Sequence, residues 1–453
     1  MTTLNAMSTT PTNTGITLEL HDIQAGALYP RPSPYAGAYI LLRIDERRAG
    51  RELLRRLIPV LDAAAGPADP NKQATLTAAL SYQGLKALGV PQSSLDSFPP
   101  EFQQGMAARA EVLGDTGESA PAHWEAPLGS SDVHIALVVL APDAAQRDTI
   151  FDRARESLRD LTGVVPIWRQ DVYALPNERE PFGFKDGMGQ PAIEGSGIAG
   201  NNPHEAPLKA GEFVLGYEDE TGDLPAMPQP EVLGRNGTYV VFRKLHARVA
   251  AFRQYLRARA ASPAEEELLA AKFVGRWRSG APLALAPERD DPELGADGQR
   301  NNAFMYGDDP RGLKCPFGAH ARRMNPRDSV VVGEVRLHRM IRRGTSYGPP
   351  LPEGVLEDDG ADRGIVFAFV GAHLARQFEF VQAQWVNDGK FIGAPDETDP
   401  LVGPNGRSGQ FTVPQQPVRR RLQGLPAFVV NRGGEYCFMP SLNALRWIAE
   451  LDT

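Results

Sequence analysis

Three short segments concentrate the residues able to do chemistry. In EPFGFKDGMGQPAIEGSG, residues 180–197, Gly183, Gly187 and Gly189 crowd around one acid, Asp186. An isolated Asp-Gly pair is ordinarily a turn and nothing more. Glycines at this density also let backbone approach a flat ligand closely. A carboxylate aimed at that ligand from an apolar wall, here Phe182 and Phe184, is a plausible acid/base group. In KCPFGAHARRMNPRDS, residues 314–329, His320 stands between CPFGA and Arg322, Arg323 and Arg327. A lone His is more often structural than a ligand. The arginines read either as a solvated face or as partners for the carboxylates of a cofactor. In HRMIRRGTSYG, residues 338–348, Arg342 and Arg343 lie at a strand end, where alternation lets only one of them point inward. In the GIVFAFVG that follows, Ile365 and Phe367 share one face.

Other chemistries are excluded. The chain has two cysteines, Cys315 and Cys437, too few for a disulfide framework or a Cys-rich metal site. C-x-x-C-H is absent, so covalent c-type haem attachment is excluded. The eight histidines are scattered, without H-E-x-x-H or a Cys/His cluster, which disfavours zinc. The 453 residues carry a net charge of −8, which argues against nonspecific nucleic-acid or anionic-membrane binding. No apolar stretch is long enough to span a membrane. The opening MTTLNAMSTTPTNTG shows neither a basic-then-apolar signal pattern nor twin arginines. The expected setting is therefore a reducing cytoplasm with free thiols. The sequence leaves open whether the chain forms a homo-oligomer.

The elements that must position these residues follow from hydrophobic periodicity. After a polar, Pro-rich arm over residues 1–35, GAYILLRID predicts a strand. Leu53, Leu54, Leu57, Ile58 and Leu61 then fall at helical spacing, with Pro59 bending or ending that helix. QATLTAALS and HIALVVLA predict two more strands, separated by an insert of roughly 50 residues. Asp143 caps a helix with Ile150, Phe151, Ala154, Leu158 and Leu161 on one face, and VVPIWRQDVYAL closes the set. This β-α-β-β-α-β order is that of a ferredoxin-like unit. The second half repeats it: TYVVFRKL, a helix with Val249, Phe252 and Leu256, strands in EVRLHRMIRR and GIVFAFVGA, the helix AHLARQFEFVQAQWVN, and a strand in PAFVVNRGGEYCF. The expected class is α+β, with two tandem ferredoxin-like domains at 1–195 and 196–453 joined by a Gly/Asn/Pro-rich link near 183–207. Such folds host many functions, so function must come from the site.

Taken together, GFKDGMGQP, CPFGAHARRMNPR, IRRG within HRMIRRGTSYG, and GGEYCFMPSLNAL resemble the dye-decolourising peroxidases, DyP-type haem peroxidases. The motifs occur in the family's order across nearly the whole chain. Length and the CPFGAH form resemble the longer branch, with its fungal and some bacterial members. The resemblance implies two ferredoxin-like domains, with one non-covalent haem b per chain held mainly by the C-terminal domain. It implies His320 as proximal iron ligand, Asp186 as distal acid/base, Arg342 as distal arginine, Ile365 and Phe367 as the apolar pair over the distal face, and Asp399 of ETDPLVG as the acid behind the proximal His. The implied activity is reduction of H2O2 to water through a ferryl porphyrin radical, which then oxidises dyes, phenolics or other one-electron donors. An aspartate in the distal role predicts an acid optimum for dye oxidation. Surface aromatics that could relay electrons are Trp385, Tyr347 and Trp447. Two other readings use the same residues: a haem-handling protein for storage or iron release, and a non-haem module in which the motifs are structural turns.

Overall fold

A computed structural model describes residues 16–65, 73–202, 205–329, 334–406 and 409–452. The N-terminal half builds strand β1 (Ala36–Ile44), helix α1 (Arg47–Leu57), β2 (Thr75–Ser81), β3 (Ile135–Ala141), α2 (Ala144–Ser157) and β4 (Val164–Tyr173). The C-terminal half builds β5 (Thr238–Ala247), α3 (Val249–Arg257), α4 (Pro263–Val274), α5 (His320–Met324), β6 (Ile341–Tyr347) and β7 (Gly364–Gly371). It continues with β8 (Gly409–Val413), β9 (Arg420–Leu425), β10 (Val429–Met439) and α6 (Leu442–Glu450).

One antiparallel eight-stranded sheet runs β4-β1-β3-β2-β10-β5-β7-β6. Each half contributes four strands in the same permutation: fourth, first, third, second. That is the ferredoxin-like order twice over, so the α+β class with two ferredoxin-like units holds. The halves join edge to edge where Cys437 pairs with Ser81 and Phe438 with Leu80. The sheet also curls, as twisted sheets do. The Ser346 amide on β6 donates to the Tyr35 hydroxyl next to β1 at 2.6 Å, and Tyr39, Val172, Tyr347 and Val366 share one buried cluster.

Local chemistry explains the elements. α1 turns Leu53, Leu54 and Leu57 into the core, and Pro59 sits in a 3-10 turn over Ile58–Val60 that ends it. Asp143 accepts the Gln146 amide at 2.8 Å and caps α2, whose Ile150 and Ala154 are buried. Ser262 and Pro263 open α4 in the same way, with the Ser262 hydroxyl accepting the Glu265 amide at 3.2 Å.

Three expectations change. Within the expected arm, residues 1–15 lie outside the described residues, but Leu18, Ile23, Leu28 and Tyr29 are buried. Gln24 is buried too, because its amide bonds Ala78 N, Ala78 O and Pro440 O at 2.8, 2.9 and 2.7 Å. EVRLHRMIRR is extended strand only from Ile341; Val335–His338 is a 3-10 turn, where His338 Nδ1 bonds the Arg376 carbonyl at 2.6 Å. The helix in AHLARQFEFVQAQWVN forms as two π-helical segments, Leu374–Glu379 and Val381–Val386. Among the described residues no helix is long and apolar enough to cross a membrane.

Candidate active site

A cavity of about 500 Å³ lies against the sheet of the C-terminal half. One wall is the sheet face carrying Arg243, Leu245, Arg342, Gly344, Ile365 and Phe367. The other is built from His320 and Met324 of α5, Val381 and Val386 of the π-helical segment, and the loop 402–406. Asp186 reaches the same space from the Gly-rich loop. The fold thus brings together Asp186, His320, Arg342, Ile365 and Phe367, which lie up to 181 residues apart in the chain.

His320 opens α5, with Ala319 at the cap position. Its Nδ1 lies 2.9 Å from Asp399 Oδ2. Asp399 is fully buried, and its other oxygen accepts the amides of Leu401 at 2.9 Å and Val402 at 3.0 Å. Burial pushes the Asp399 carboxyl up, but His320, Arg323 and the Val402 amide outweigh it and hold the group below its ordinary value. An ionised carboxylate on Nδ1 fixes the hydrogen there and leaves the lone pair on Nε2, which makes no hydrogen bond among the described residues. The imidazole therefore offers a metal-ligating nitrogen to the cavity.

The flanking arginines fit neither of the two readings given to them. Arg323 is fully buried and donates to the carbonyls of Trp385, Asp388 and Glu397 at 2.7, 3.0 and 3.0 Å and of Gly318 at 3.2 Å. It thereby fastens the His320 segment to the Asp399 segment. Arg322 pairs with Asp309 at 3.1 Å, and Arg327 bonds the carbonyls of Asn302 and Phe304 at 3.0 and 2.8 Å. All three are internal ties.

The loop carrying Asp186 is held from behind. The Glu180 carboxylate accepts the amides of Phe182 at 2.9 Å and Phe184 at 2.8 Å. Burial pushes this acid up to about 7; the charge of Asp186 adds to the rise, and the two amides and Arg278 oppose it. Gly183 has φ +93°, a conformation that strains any side chain, and a Cβ there would lie 2.6 Å from Arg278 Nη1 and so displace the guanidinium that donates to the Phe182 carbonyl. Phe182 and Phe184 do not wall the cavity, contrary to the expectation from sequence. They pack into the apolar cluster around Phe252, with ring centroids of Phe182 and Phe252 5.0 Å apart. Asp186 accordingly is not buried among them but exposed toward the cavity.

Arg342 lines the cavity while Arg343 turns to the opposite face and donates to the Tyr29 carbonyl at 2.8 Å. Both backbone groups of Arg342 are held by Gln190: its amide donates to Oε1 at 3.1 Å and its carbonyl accepts from Nε2 at 2.6 Å. Gln190 belongs to the loop that carries Asp186, so one side chain sets loop against strand. Burial lowers the Arg342 guanidinium, against the pull of Asp186. Gly344, two residues along β6, keeps the space beside Asp186 clear: a Cβ there would come within 2.3 Å of Asp186 Oδ2. Ile365 and Phe367 project from alternate positions of β7 into the cavity.

Sequence reasoning missed the roles of Arg323, Gln190, Glu180 and Gly344, and a polar end to the cavity. There Arg243 pairs with Asp115, both buried, and Arg243 Nε has no partner among the described residues. Glu180, Gln190, Arg323 and Gly344 all lie inside the three motif segments. Their signal is position: a polar residue or a glycine a few places from a reactive group is a candidate for holding it. Trp385 and Tyr347, expected as surface relays, are each 1% exposed and so are not at the surface; Trp447 is half-buried.

A flat, carboxylate-bearing metal cofactor fits these residues. The cavity is of cofactor size, its walls are largely apolar, one imidazole nitrogen is free, and an unpartnered guanidinium N–H lies at one end. A scan of protein-family models returns no match. The chain is 31% identical over 404 residues to the dye-decolorizing peroxidase msp1 of Mycetinis scorodonius, covering 82% of this chain and 75% of the relative. It is 31% identical over 395 residues to the multifunctional dye peroxidase DyP2 of Amycolatopsis, covering 81% and 80%. Among solved structures, a dye-decolorizing peroxidase in complex with 2,6-dimethoxyphenol superposes with a TM-score of 0.83 at 27% identity, over 95% of this chain and all (100%) of that one. The DyP-type peroxidase of Auricularia auricula-judae superposes with a TM-score of 0.82 at 26% identity, over 96% and 100%. Similarity at this level over most of both chains, on the same fold, places the protein: it belongs to the dye-decolorizing peroxidase family and is a peroxidase, with the haem cofactor that membership implies.

Proposed function

We propose that this chain binds one non-covalent haem b, reduces H2O2 with it, and oxidises dyes, phenolics or other one-electron donors. The observation that carries the reading is that His320, Asp186 and Arg342 all line a single cavity. His320 would hold the iron through Nε2, with Asp399 keeping the hydrogen on Nδ1 and making the ring a stronger donor. Haem bound there would supply the iron at which peroxide reacts and the electrons that break the O–O bond. Asp186 accepts a proton from one peroxide oxygen and returns it to the other, so that water leaves. Arg342 stabilises the negative charge that develops on the departing oxygen; a guanidinium stays charged throughout the working range. Ile365 and Phe367 keep bulk water from competing for those protons. Residues 1–195 supply Asp186 and 196–453 supply every other group named, which is the domain division in this reading.

The partners are H2O2 and small reductants, not nucleic acid or a membrane. Two buried, unpaired cysteines suit the reducing cytoplasm as its setting. The test is an optical spectrum of haem-loaded protein before and after one equivalent of H2O2, followed by addition of a dye, in wild type and in His320→Ala. Wild type should show a rapid spectral change that the dye reverses as it bleaches, and His320→Ala should hold haem poorly. Unchanged haem content and spectrum in His320→Ala would overturn the ligand assignment. Iron release without dye oxidation would favour haem handling instead.

A further inference from the structure

On the far side of His320 from the cavity lies a surface groove of about 420 Å³. Arg311, Arg419 and Arg421 line it, and none of these guanidinium groups makes a hydrogen bond or ion pair among the described residues. Most other arginines in the chain are tied down. Arg420, between two of them, pairs with Glu265 at 2.6 Å. The separation follows from strand alternation: Thr412 on β8 pairs with Arg421 on β9, so Arg421 shares the groove face with Thr412 while Arg420 turns away. Two carboxylates also border the groove. Glu397 is buried and turned onto the amide of Thr412 at 3.1 Å and onto its hydroxyl, while Asp396 is exposed at the rim. Cationic charge remains in excess, in a chain whose net charge is −8. Phe317 and Ile392 give the groove an apolar, partly aromatic surface.

The groove backs onto both segments that hold the imidazole. Gly318 lines it two residues before His320, and Glu397 lines it two residues before Asp399. Arg323 bonds the carbonyls of Gly318 and Glu397 at 3.2 and 3.0 Å, so floor and ligand move as one body. Unpaired guanidinium groups sharing a groove with Phe317 and Ile392 match a planar ring bearing sulfonate or carboxylate groups.

We propose that this groove docks an anionic aromatic reductant, an arenesulfonate or arenecarboxylate, which gives its electrons from the His320 side. The inference rests on the peroxidase reading. The oxidant is the peroxide-oxidised cofactor site. Each bound donor loses one electron per encounter, and a phenolic donor also releases its proton to water. Donors that are neutral gain nothing from the three guanidinium groups.

The test compares haem-loaded wild type with Arg419→Glu/Arg421→Glu and with the milder Arg421→Ala. Steady-state rates are measured with ABTS, a disulfonated donor, and with a neutral dimethoxyphenol. Equilibrium dialysis measures binding of an anthraquinone sulfonate without turnover. The ratio of kcat/KM for ABTS to that for the phenol should fall about tenfold in the double variant and less in Arg421→Ala, through KM, with the loss shrinking at high salt. Sulfonate binding should weaken in parallel. An unchanged ratio with unchanged dialysis would overturn the proposal. If wild type oxidises neither donor after H2O2, the peroxidase reading fails, and the dialysis result still decides whether the groove binds the anion.

Discussion

Gly344→Ala isolates the placement of Asp186 from everything else in the site. Gly344 is not among the glycines with positive φ, so alanine fits its backbone. In a strand interior that exchange stabilises by roughly 0.5–1 kcal/mol through lost unfolded-state freedom. The added methyl, however, would stand 2.3 Å from Asp186 Oδ2 and 3.5 Å from Ile365 Cγ2. Ile365 is at ordinary contact distance, and the carboxylate is the atom that must give. Restoring a normal contact moves that oxygen by about 1 Å, and a misplacement of that size can cost on the order of 100-fold in rate. Full removal of a general acid–base lies in the range of about 10²–10⁴. The expected variant therefore folds at least as well as wild type, binds haem equally, and reacts with H2O2 about 100-fold more slowly. Stopped-flow absorbance under pseudo-first-order peroxide gives the rate, and thermal unfolding of the same preparation gives the stability. The further change Asp186→Asn should then cost far less in the Gly344→Ala background than in wild type. A rate within threefold of wild type, or full additivity of the two changes, would refute the reasoning.

Two further outcomes follow from the charges around the site and in the core. Asp399→Asn keeps an oxygen for the amides of Leu401 and Val402 but removes the charge from His320 Nδ1, so haem stays bound while the Fe(III)/Fe(II) potential rises; spectroelectrochemical titration of both proteins checks it, and an unshifted potential would remove Asp399 from the role. Stability should fall as pH rises from 4.5 to 7, because burial pushes Glu180, Glu212 and Glu435 each up to about 7, and a carboxyl raised on folding contributes stability that is full below its unfolded value and lost through its folded one. His373, held down to about 4 by burial, works the other way as pH falls below 6.5, as do His134 and His338, which burial also lowers, while Asp62 and Asp115, raised by burial, add to the three glutamates. Thermal midpoints of apo-protein across that range measure the balance, and Glu180→Gln should flatten the slope; a midpoint that rises steadily toward neutrality would show the direction to be wrong.

Most of the architecture is legible in the sequence because apolar strands such as HIALVVLA and TYVVFRKL announce themselves by composition, and the twofold β-α-β-β-α-β order then dictates the sheet. The face-sharing of Ile365 and Phe367 and the opposed directions of Arg342 and Arg343 follow from strand alternation alone. The hairpin of β8 and β9 is not legible, since GQFTV and RRLQGL are short and one is rich in charge. Gln24 escapes for a different reason: a polar residue becomes a core residue when both ends of its amide find partners, and sequence does not display partners. Arg322, Arg323 and Arg327 show the same limit. Their clustering suggests a surface or a cofactor contact, yet their carbonyl partners come from segments up to 74 residues away.

Those hidden ties explain how a loop-built site can be held in register. His320 sits at the first position of the five-residue helix α5, Asp399 on an irregular segment and Asp186 on a glycine-rich turn, none of them within the sheet's ladder of backbone hydrogen bonds. Each is instead clamped by one polar side chain making several backbone bonds: the buried Arg323 behind His320 and Asp399, the partly buried Glu180 under the Asp186 loop, and the partly buried Gln190 between that loop and β6. A side chain in such a place is costly to bury unless every bond is made, so the loop has one conformation that satisfies it and few that nearly do. The glycines then have a definite task. At Gly183 and Gly344 they remove the methyl that would collide with the Arg278 guanidinium or with Asp186 itself. The sheet supplies a rigid wall, the clamps supply position, and the free nitrogen of His320, the carboxylate of Asp186 and the unpartnered Nε of Arg243 are left facing the cavity with bonding capacity to spare.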